Sequence, residues 1–374
     1  MPSWLKEGRG SLCGANVSLL LRERGITKPL LVAGERTKNV FFARTGMRLP
    51  VFDAFHPNPD LQDCVAGAAL YQEKGCDGLI SIGGGSAMDT AKGIKALLMT
   101  DIAHVRANQL PPEGKVPHLA IPGTAGTGAE TTAVAVLYED GQKLSVDHPA
   151  LLPDGVLLDG SLLDTLPEYH RKSCAMDALA QGIESWWAKK ATPGSRIHAE
   201  RAIRGVLDNL TAYMQGDRKA QDEMLHAAYE SGVAILTTRT TAAHAMSYQI
   251  TKKLGAAHGH ACMLTLPHLW AHLAAQAEYQ PMLMELAHIL GGEKPMDGAV
   301  LLKGLLAVLE LDKIPMPDDA TLDMLAASVN PERLGNHPEA LTTAQLRAIY
   351  VQAFTPMTDT ERAEAIAAWE QYGK

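Results

Sequence analysis

Short apolar runs alternate with amphipathic segments over the first 160 residues of the chain. The segments 61–74 and 87–100 have helical patterns, and each lies between two short apolar runs. Those runs have the length and the flanking turn residues of buried strands: 29–33, 78–82, 118–121 and 155–158. Because strands that alternate with helices form parallel sheets, we predict a doubly wound, parallel α/β domain over residues 1–160.

The pattern changes after Pro167. Strand-like runs nearly disappear, and long helical patterns occupy 197–214 and 220–236. A chain of 374 residues is also longer than one hydrophobic core usually organises. We therefore expect a second, all-α domain over residues 161–374.

Composition limits the kind of partner. The net charge of -8 is spread along the chain without an acidic or basic block, which argues against nucleic acid or a membrane surface as partner. The five cysteines form no CxxC pair, the segment up to Glu7 lacks the apolar core of an export signal, and no apolar run approaches membrane-spanning length. These features predict a cytoplasmic protein that binds a small molecule.

Two glycine-rich turns follow predicted strands. In the first, Gly83 to Gly85 let the backbone approach a pyrophosphate, and Ser86 and the amides of the next helix can donate to it. The second, PGTAGTGAETT at 122–132, clusters hydroxyl groups where strand ends meet ligands. A tight strand-to-helix turn is the alternative for either one. Two such turns favour a dinucleotide, although neither is the GxGxxG fingerprint.

A third turn, after the first predicted strand, is placed to meet the adenosine ribose. Gly34 is followed by Glu35, which can bind a free 2'-hydroxyl group. The next three residues, 36–38 (RTK), can instead bind a 2'-phosphate. NADH and NADPH both remain open as the cofactor.

Side chains that bind metals occur in the second half. Asp177 and Gln181 lie one helical turn apart, so both oxygens face the same way. His244 and His258 add two imidazoles from separate segments. A lone histidine is more often packed or exposed than a ligand, and Glu184 can simply cap or pair on its helix. The combination nevertheless suits Fe(II) or Zn(II), with room left for a substrate oxygen.

Together these motifs resemble the iron-containing (group III) alcohol dehydrogenases, which share their fold with dehydroquinate synthase and glycerol dehydrogenase. GGGSAMDTAK, PGTAGTGAETT, AAH...AAHGH and LPH carry the resemblance. It implies a dinucleotide domain, a helical domain and a metal in the cleft between them. It also implies that Asp177, His244 and His258 are metal ligands. With Gly34 and Gly84 from the turns, the expected cofactor positions are Gly85, Ser86, Asp89, Thr124, Thr127 and Lys143.

The chain departs from the family at two positions. Most relatives have histidine where Gln181 stands, and a second histidine where Tyr248 stands. Since an amide is a weaker and neutral donor, the first departure bears on metal affinity and identity. Tyr248 and His260 are candidates for relaying a proton to the product.

Within the family, DALAQ...IESW and TTAAHAMSY look most like the phosphonoacetaldehyde reductase branch, to which sulfoacetaldehyde reductases are related. Such substrates end in a tetrahedral anion, which requires cationic or hydroxyl donors. The candidates nearby are Arg239, Thr240, Thr241, Lys252 and Lys253. For each lysine a solvated helix end is the alternative.

The predicted activity is the metal-dependent reduction of phosphonoacetaldehyde to 2-hydroxyethylphosphonate by NADH or NADPH. A sulfoacetaldehyde reductase and a general short-chain alcohol dehydrogenase are the nearest alternatives, and a dehydroquinate-synthase-like lyase is the alternative from another class. The resemblance also implies that the chain can form a homodimer.

Overall fold

A computed structural model describes residues 6–112 and 116–372. The chain divides into two compact units, Met1–Leu166 and Pro167–Lys374. Residues 1–5, part of the segment from which the absence of an export signal was predicted, lie outside the described ranges.

The first unit contains a six-stranded sheet in which every pair of neighbouring strands is parallel. The strand order across the sheet is β1-β8-β5-β4-β2-β3. The strands are β1 (Lys6–Arg9), β2 (Pro29–Ala33), β3 (Val51–Phe52), β4 (Gly78–Gly83), β5 (His118–Pro122) and β8 (Gly155–Leu158). The intervening helices are α1 (Gly14–Glu23), α2 (Glu35–Thr45), α3 (Leu61–Lys74), α4 (Gly85–Met99) and α5 (Ile102–Arg106).

The sheet changes direction between β2 and β4. The chain passes from β2 outward to β3, returns to β4 on the other side of β2, and continues to β5 and β8. In doubly wound sheets, ligands bind at the carboxyl ends of the strands that flank such a point. The turns that begin at Gly34 and Gly83 therefore lie at the edge of the sheet where a ligand is expected.

Alternate side chains of the central strands enter two separate cores. In β2, Leu30 packs with residues of α3 and α4, whereas Leu31 packs with residues of α1 and α2. Both side chains are fully buried. Strands buried on both faces require near-continuous apolar sequence, which explains why these runs were recognisable.

An antiparallel hairpin was not predicted. It consists of β6 (Val134–Glu139) and β7 (Gln142–Asp147), which pair with each other outside the main sheet. Its turn contains Asp140 and Gly141, both with positive φ, as tight hairpin turns require.

The second unit is helical, and no strand occurs among its described residues. Its helices are α6 (Glu168–Trp187), α7 (Pro193–Met214), α8 (Arg218–Thr238), α9 (Ala242–Gln249), α10 (His258–Ala274), α11 (Gln280–Leu290), α12 (Asp297–Val308), α13 (Asp319–Ala327), α14 (Pro331–Leu334), α15 (Thr343–Phe354) and α16 (Asp359–Tyr372). A π-helical turn, Ile250–Leu254, joins α9 to α10. The parallel α/β unit and the helical unit confirm the predicted fold class.

The long helix α6 lies at the centre of the second unit. It packs against α7, α8 and α10. Its residues from Ala175 to Trp187 are all buried. Polar side chains on this part of α6 must therefore find partners inside the protein.

None of the helices in the described ranges has the length and apolar character needed to span a membrane.

Candidate functional site

Four side chains of the second unit converge on one point. They are Asp177 on α6, His244 on α9, and His258 and Cys262 on α10. One donor atom from each lies within 4.8 Å of the others. Protein donors lie about 2.0–2.3 Å from zinc, so atoms this close together can share one ion. We call these four residues the donor cluster.

A glycine brings α10 close enough to α6 for this convergence. A Cβ atom added to Gly259 would lie 2.0 Å from the carbonyl oxygen of Ser173 and 2.7 Å from Cβ of Asp177. No side chain larger than hydrogen fits at that distance without a shift of the backbone. Gly259 thus allows the adjacent His258 to approach Asp177.

Glu184 orients His244. One carboxylate oxygen of Glu184 accepts hydrogen bonds from the backbone amides of Thr241, at 3.1 Å, and Ala243, at 2.8 Å. The other oxygen pairs with Nδ1 of His244. Because Nδ1 is held there, Nε2 is the nitrogen that faces Asp177 Oδ1, at 3.3 Å. A carboxylate behind a histidine is the usual support of a metal-ligating imidazole.

Ser247 orients His258 in the same way. The Ser247 hydroxyl donates its one hydrogen to the carbonyl oxygen of His244 at 2.8 Å. Its oxygen therefore accepts from Nδ1–H of His258, 3.3 Å away. This leaves Nε2 of His258 facing Asp177 Oδ1 at 3.9 Å. Both imidazoles thus present Nε2 to the same small space.

The electrostatics of the donor cluster favour a cation. Burial lowers the pKa of His258, but the charges of Cys262 and Asp177 outweigh it and raise that pKa to about 9. Burial raises the pKa of the Cys262 thiol, whereas His244 and His258 bring it down to about 7. Without an ion, protons on the imidazoles supply the positive charge that the two acidic groups require. A metal ion can replace those protons.

Gln181 lies beside the donor cluster. Its amide nitrogen donates to Asp177 Oδ1 at 3.2 Å, and its oxygen accepts from Ser231 Oγ at 2.8 Å. The side chain therefore contacts the expected ligand Asp177. In this arrangement its oxygen faces Ser231 rather than the donor cluster.

Sequence reasoning missed Cys262. It follows His258 by four residues, so a helix beginning at His258 places both on one face. That spacing was the available signal. Its side chain is fully buried, with Sγ 3.9 Å from His258 Nε2.

The two proposed proton-relay residues have different surroundings. The ring of Tyr248 lies parallel to that of His258, with centroids 6.1 Å apart. His260 donates from Nε2 to the carbonyl oxygen of Leu311 at 2.8 Å, and its Nδ1 accepts from the Tyr169 hydroxyl at 3.1 Å. Both nitrogens of His260 are engaged, and burial lowers its pKa. His260 therefore fastens the start of α10 and does not enter the relay that we propose below.

Two of the five residues expected to bind a substrate anion are buried with internal partners. The Thr241 hydroxyl donates to Glu184 at 2.6 Å and accepts from the Trp187 indole at 3.0 Å. The Thr240 hydroxyl accepts from Arg333 at 3.0 Å. Both threonines thus serve the interior of the second unit.

The three cationic candidates differ from each other. Lys252 and Lys253 are exposed, on the π-helical turn. Arg239 ends α8 with φ 63° and ψ 179°, a conformation that is found almost only in glycine. Strained residues of this kind cluster at functional sites, so Arg239 stays a candidate for binding the substrate anion.

In the first unit, the expected cofactor residues come together. Gly83 has φ +146°, and its carbonyl oxygen accepts from the Gly123 amide at 2.7 Å, which joins the two glycine-rich turns. A Cβ on Gly84 would lie 3.3 Å from the Thr124 side chain, and one on Gly85 would lie 3.6 Å from that of Thr127.

The start of α4 is suited to an anion. Gly84 is its N-cap residue, and no side chain of the described residues caps this end. The Ser86 hydroxyl, in the first turn, accepts from the Asn58 amide at 3.1 Å. Open amides at a helix N-terminus bind phosphate, so the turn fits a pyrophosphate group. Gly34, the N-cap residue of α2, leads from the neighbouring strand β2.

Asp89, Lys92 and Lys143 form a charged group beneath this turn. Burial raises the pKa of Asp89 to about 7, although Lys92 and Lys143 act in the opposite direction. Lys92 is fully buried and donates to the carbonyl oxygens of Ala129, at 2.7 Å, and Val134, at 2.9 Å. Lys92, which the sequence analysis did not single out, therefore holds the second glycine-rich turn against α4.

Both parts of the chain match models of one protein family. Residues 3–160 match the iron-containing alcohol dehydrogenase family, and residues 172–354 match the C-terminal domain of the Fe-containing alcohol dehydrogenase family. The chain therefore belongs to the iron-containing alcohol dehydrogenase family. The predicted family is confirmed.

Individual relatives are distant. The chain is 36% identical over 230 residues to phosphonoacetaldehyde reductase of Streptomyces viridochromogenes, across 57% of this chain and 58% of that protein. It is 34% identical over 251 residues to the probable alcohol dehydrogenase EutG of Escherichia coli, across 65% of this chain and 60% of that protein. The matches thus span about three fifths of the length of these relatives.

A solved structure shares the fold over nearly the whole chain. Sulfoacetaldehyde reductase from Bifidobacterium kashiwanohense, in complex with NAD+, superposes with a TM-score of 0.85 at 25% identity. The match covers 94% of this chain and 97% of that one.

We predict that Glu184→Gln weakens metal binding by about 10–100-fold, the usual cost of losing the partner that orients a ligand. The oxygen of a glutamine side chain can still accept from the backbone amides. Its NH2 group is a donor, however, and cannot accept the hydrogen of His244 Nδ1. Competition with a chromophoric chelator measures the affinity. Glu200→Gln, at an exposed pair with Arg204, is the control. Unchanged affinity in Glu184→Gln would show that His244 needs no such support.

Proposed function

We propose that the chain is a metal-dependent, NADH-linked reductase of small anionic aldehydes, with phosphonoacetaldehyde as its substrate and 2-hydroxyethylphosphonate as its product. The donor cluster carries this proposal. Two oriented imidazoles and a buried carboxylate lie within reach of one ion. Such side chains are typical ligands of a metal ion that activates a carbonyl group. The relatives that reduce phosphonoacetaldehyde and sulfoacetaldehyde, as their names state, support the substrate class.

Asp177, His244 and His258 are the proposed holders of the ion, Fe(II) or Zn(II), with Gln181 beside them as the fourth ligand expected from the sequence. When bound, the ion supplies a Lewis acid for the aldehyde oxygen, and the reduced nicotinamide supplies the hydride. Tyr248, next to His258, is the proposed source of the proton that completes the alcohol.

Arg239 is the proposed contact for the terminal anion. A guanidinium group matches two oxygens of a phosphonate or sulfonate at once. The strained backbone of Arg239 supports this role because an arginine held in a glycine-like conformation costs about 1–3 kcal/mol. Such a cost persists where it serves a function.

The surroundings of Lys38 support NADH over NADPH. Its ammonium group pairs with Glu35 and with Asp53, which follows β3, the neighbour of β2. The Lys38–Asp53 distance is 2.7 Å. Arg36 is also engaged, donating to the carbonyl oxygen of Thr165 at 2.8 Å. A 2'-phosphate at this turn would meet two carboxylates and two cations that already have partners.

A panel of aldehydes tests the reaction. The metal-free protein is loaded with Fe(II) or Zn(II) and given NADH with phosphonoacetaldehyde, sulfoacetaldehyde or acetaldehyde. We expect the highest kcat/KM for phosphonoacetaldehyde and loss of both metal and activity in Asp177→Ala. Full activity without metal would defeat the proposal. Preference for sulfoacetaldehyde or acetaldehyde would replace the substrate, and product formation without net NADH consumption would indicate a lyase.

Arg239→Gly separates strain from substrate binding. Relief of the strained backbone, less the entropy cost of glycine, should leave a net gain of about 1 kcal/mol. We therefore expect Tm to rise by about 2–4 °C. Loss of a charged hydrogen bond worth about 1.5–3 kcal/mol should raise KM for phosphonoacetaldehyde at least about tenfold, with little change for acetaldehyde. Arg239→Lys keeps the charge as a control. An equal rise for both aldehydes would remove Arg239 from the anion site.

The cofactor preference can be shifted at Glu35 and Asp53. In the double variant Glu35→Gln, Asp53→Asn, two negative charges near the expected 2'-phosphate disappear and Lys38 loses both partners. Each charge is worth about 1 kcal/mol even in water, so we expect the ratio of kcat/KM for NADPH to that for NADH to rise on the order of tenfold. Glu73→Gln, at an exposed pair with Lys74, serves as the control. An unchanged ratio would place the ribose elsewhere.

A further inference from the structure

We infer that the thiolate of Cys262 is a ligand of the metal ion, which is then held by one carboxylate, two imidazoles and one sulfur. This inference rests on the proposed metal-dependent function. It concerns the composition of the ligand set and goes beyond the set expected from the sequence.

The position of the sulfur carries the inference. Cys262 lies one helical turn after His258 on α10, so both side chains leave the same face of that helix. Its Sγ belongs to the group of donor atoms that lie within 4.8 Å of one another. The 3.9 Å between Cys262 Sγ and His258 Nε2 is shorter than the sum of a zinc–sulfur bond of about 2.3 Å and a zinc–nitrogen bond of about 2.1 Å, so both atoms can bind one ion.

The hydrogen bonds around the donor cluster strengthen the inference. Glu184 and Ser247 fix the two imidazoles so that Nε2 of each points inward. The Asp177 carboxylate faces the same space. Donor atoms that converge in a buried space require positive charge among them, which protons on the imidazoles supply in the metal-free protein and a metal ion can supply in their place. The sulfur of Cys262 adds a fourth donor to this arrangement.

Gln181 is the competing fourth ligand. As the side chain lies, its amide nitrogen donates to Asp177 and its oxygen accepts from Ser231. Gln181 in this orientation positions the Asp177 carboxylate instead of binding the ion. Ser231 Oγ also lies 2.8 Å from the carbonyl oxygen of Ala228, and a hydroxyl has only one hydrogen to donate. A rotated amide would let Ser231 donate to Ala228 and would present the Gln181 oxygen to the ion, so the experiment must compare both residues.

A sulfur ligand alters metal preference. Thiolate ligands bind soft or borderline ions such as zinc more strongly than oxygen ligands do. With Cys262 as a ligand, we expect the preference for zinc over Fe(II) to be larger in the wild type than in Cys262→Ser.

Cobalt substitution tests the ligand directly. Metal-free full-length protein is loaded with one equivalent of Co(II), and its absorption spectrum is recorded. A Co(II)–thiolate bond gives an intense near-ultraviolet charge-transfer band. We expect this band in the wild type, its loss in Cys262→Ser and Cys262→Ala, and its retention in Gln181→Ala. Cys174→Ser, which removes another thiol of the same unit, should also retain the band and is the matched control.

Zinc binding gives a second readout. X-ray absorption of the zinc-loaded wild type should contain a sulfur neighbour at about 2.3 Å. Cys262→Ser should weaken zinc binding by more than the roughly 10–100-fold typical of losing an orienting partner, because it removes a ligand. The wild-type spectra need no variant, so a folding defect in Cys262→Ser would not obscure the result.

The outcomes separate this inference from the proposed function. One bound metal with no sulfur neighbour, or a charge-transfer band that survives Cys262→Ser, would overturn the role of Cys262 and leave the reductase proposal intact. Failure to bind any metal, together with aldehyde reduction in metal-free protein, would overturn the proposed function itself.

Discussion

The donor cluster depends on the close contact between α10 and α6 at Gly259. Asp177 comes from the middle of α6, and His258 and Cys262 come from the first turn and a half of α10. A side chain at position 259 would collide with the Ser173 carbonyl and with Asp177 itself. Because these helices are long and buried, a local shift cannot absorb that collision without moving several ligands at once. The small residue therefore sets the distance that the whole cluster requires.

Around that contact, hydrogen bonds determine which atoms face inward. Glu184 binds the start of α9 through the amides of Thr241 and Ala243, and it also holds His244. One buried carboxylate thus positions a helix end and a residue of the donor cluster together. A helix N-terminus stabilises negative charge, so this pairing satisfies the backbone and keeps Glu184 ionised. Accordingly, although burial raises the pKa of Glu184, His244 and the hydrogen bonds to it hold that pKa below its ordinary value.

The sequence was informative where one local pattern determines structure. The strand Pro29–Ala33 and the helix Leu61–Lys74 were both predicted with the bounds that the structure has. The hairpin of β6 and β7 was missed because its second strand is largely polar and exposed, which hides the alternation of a half-buried strand. Residues two apart on a helix point about 200° apart, so a helix that begins at His258 directs His260 to a different side from His258. Which face of α10 meets α6 depends on tertiary packing, and that packing also decided the place of Cys262.

Gln181, beside the donor cluster, and Cys262, within it, both bear on the ligand set that we propose. The resemblance to the family implies a histidine at the position of Gln181, so glutamine there takes one imidazole out of the expected ligand set. Cys262 lies on the opposite helix of the same cluster and contributes a donor atom of a different kind. An amide in place of an imidazole weakens the attraction for a transition metal, whereas a thiolate strengthens it. In the proposed ligand set, sulfur takes the place of one nitrogen among four donors, while Gln181 is hydrogen-bonded to Asp177. On this proposal the metal preference depends on two positions on two different helices, and neither position determines it alone.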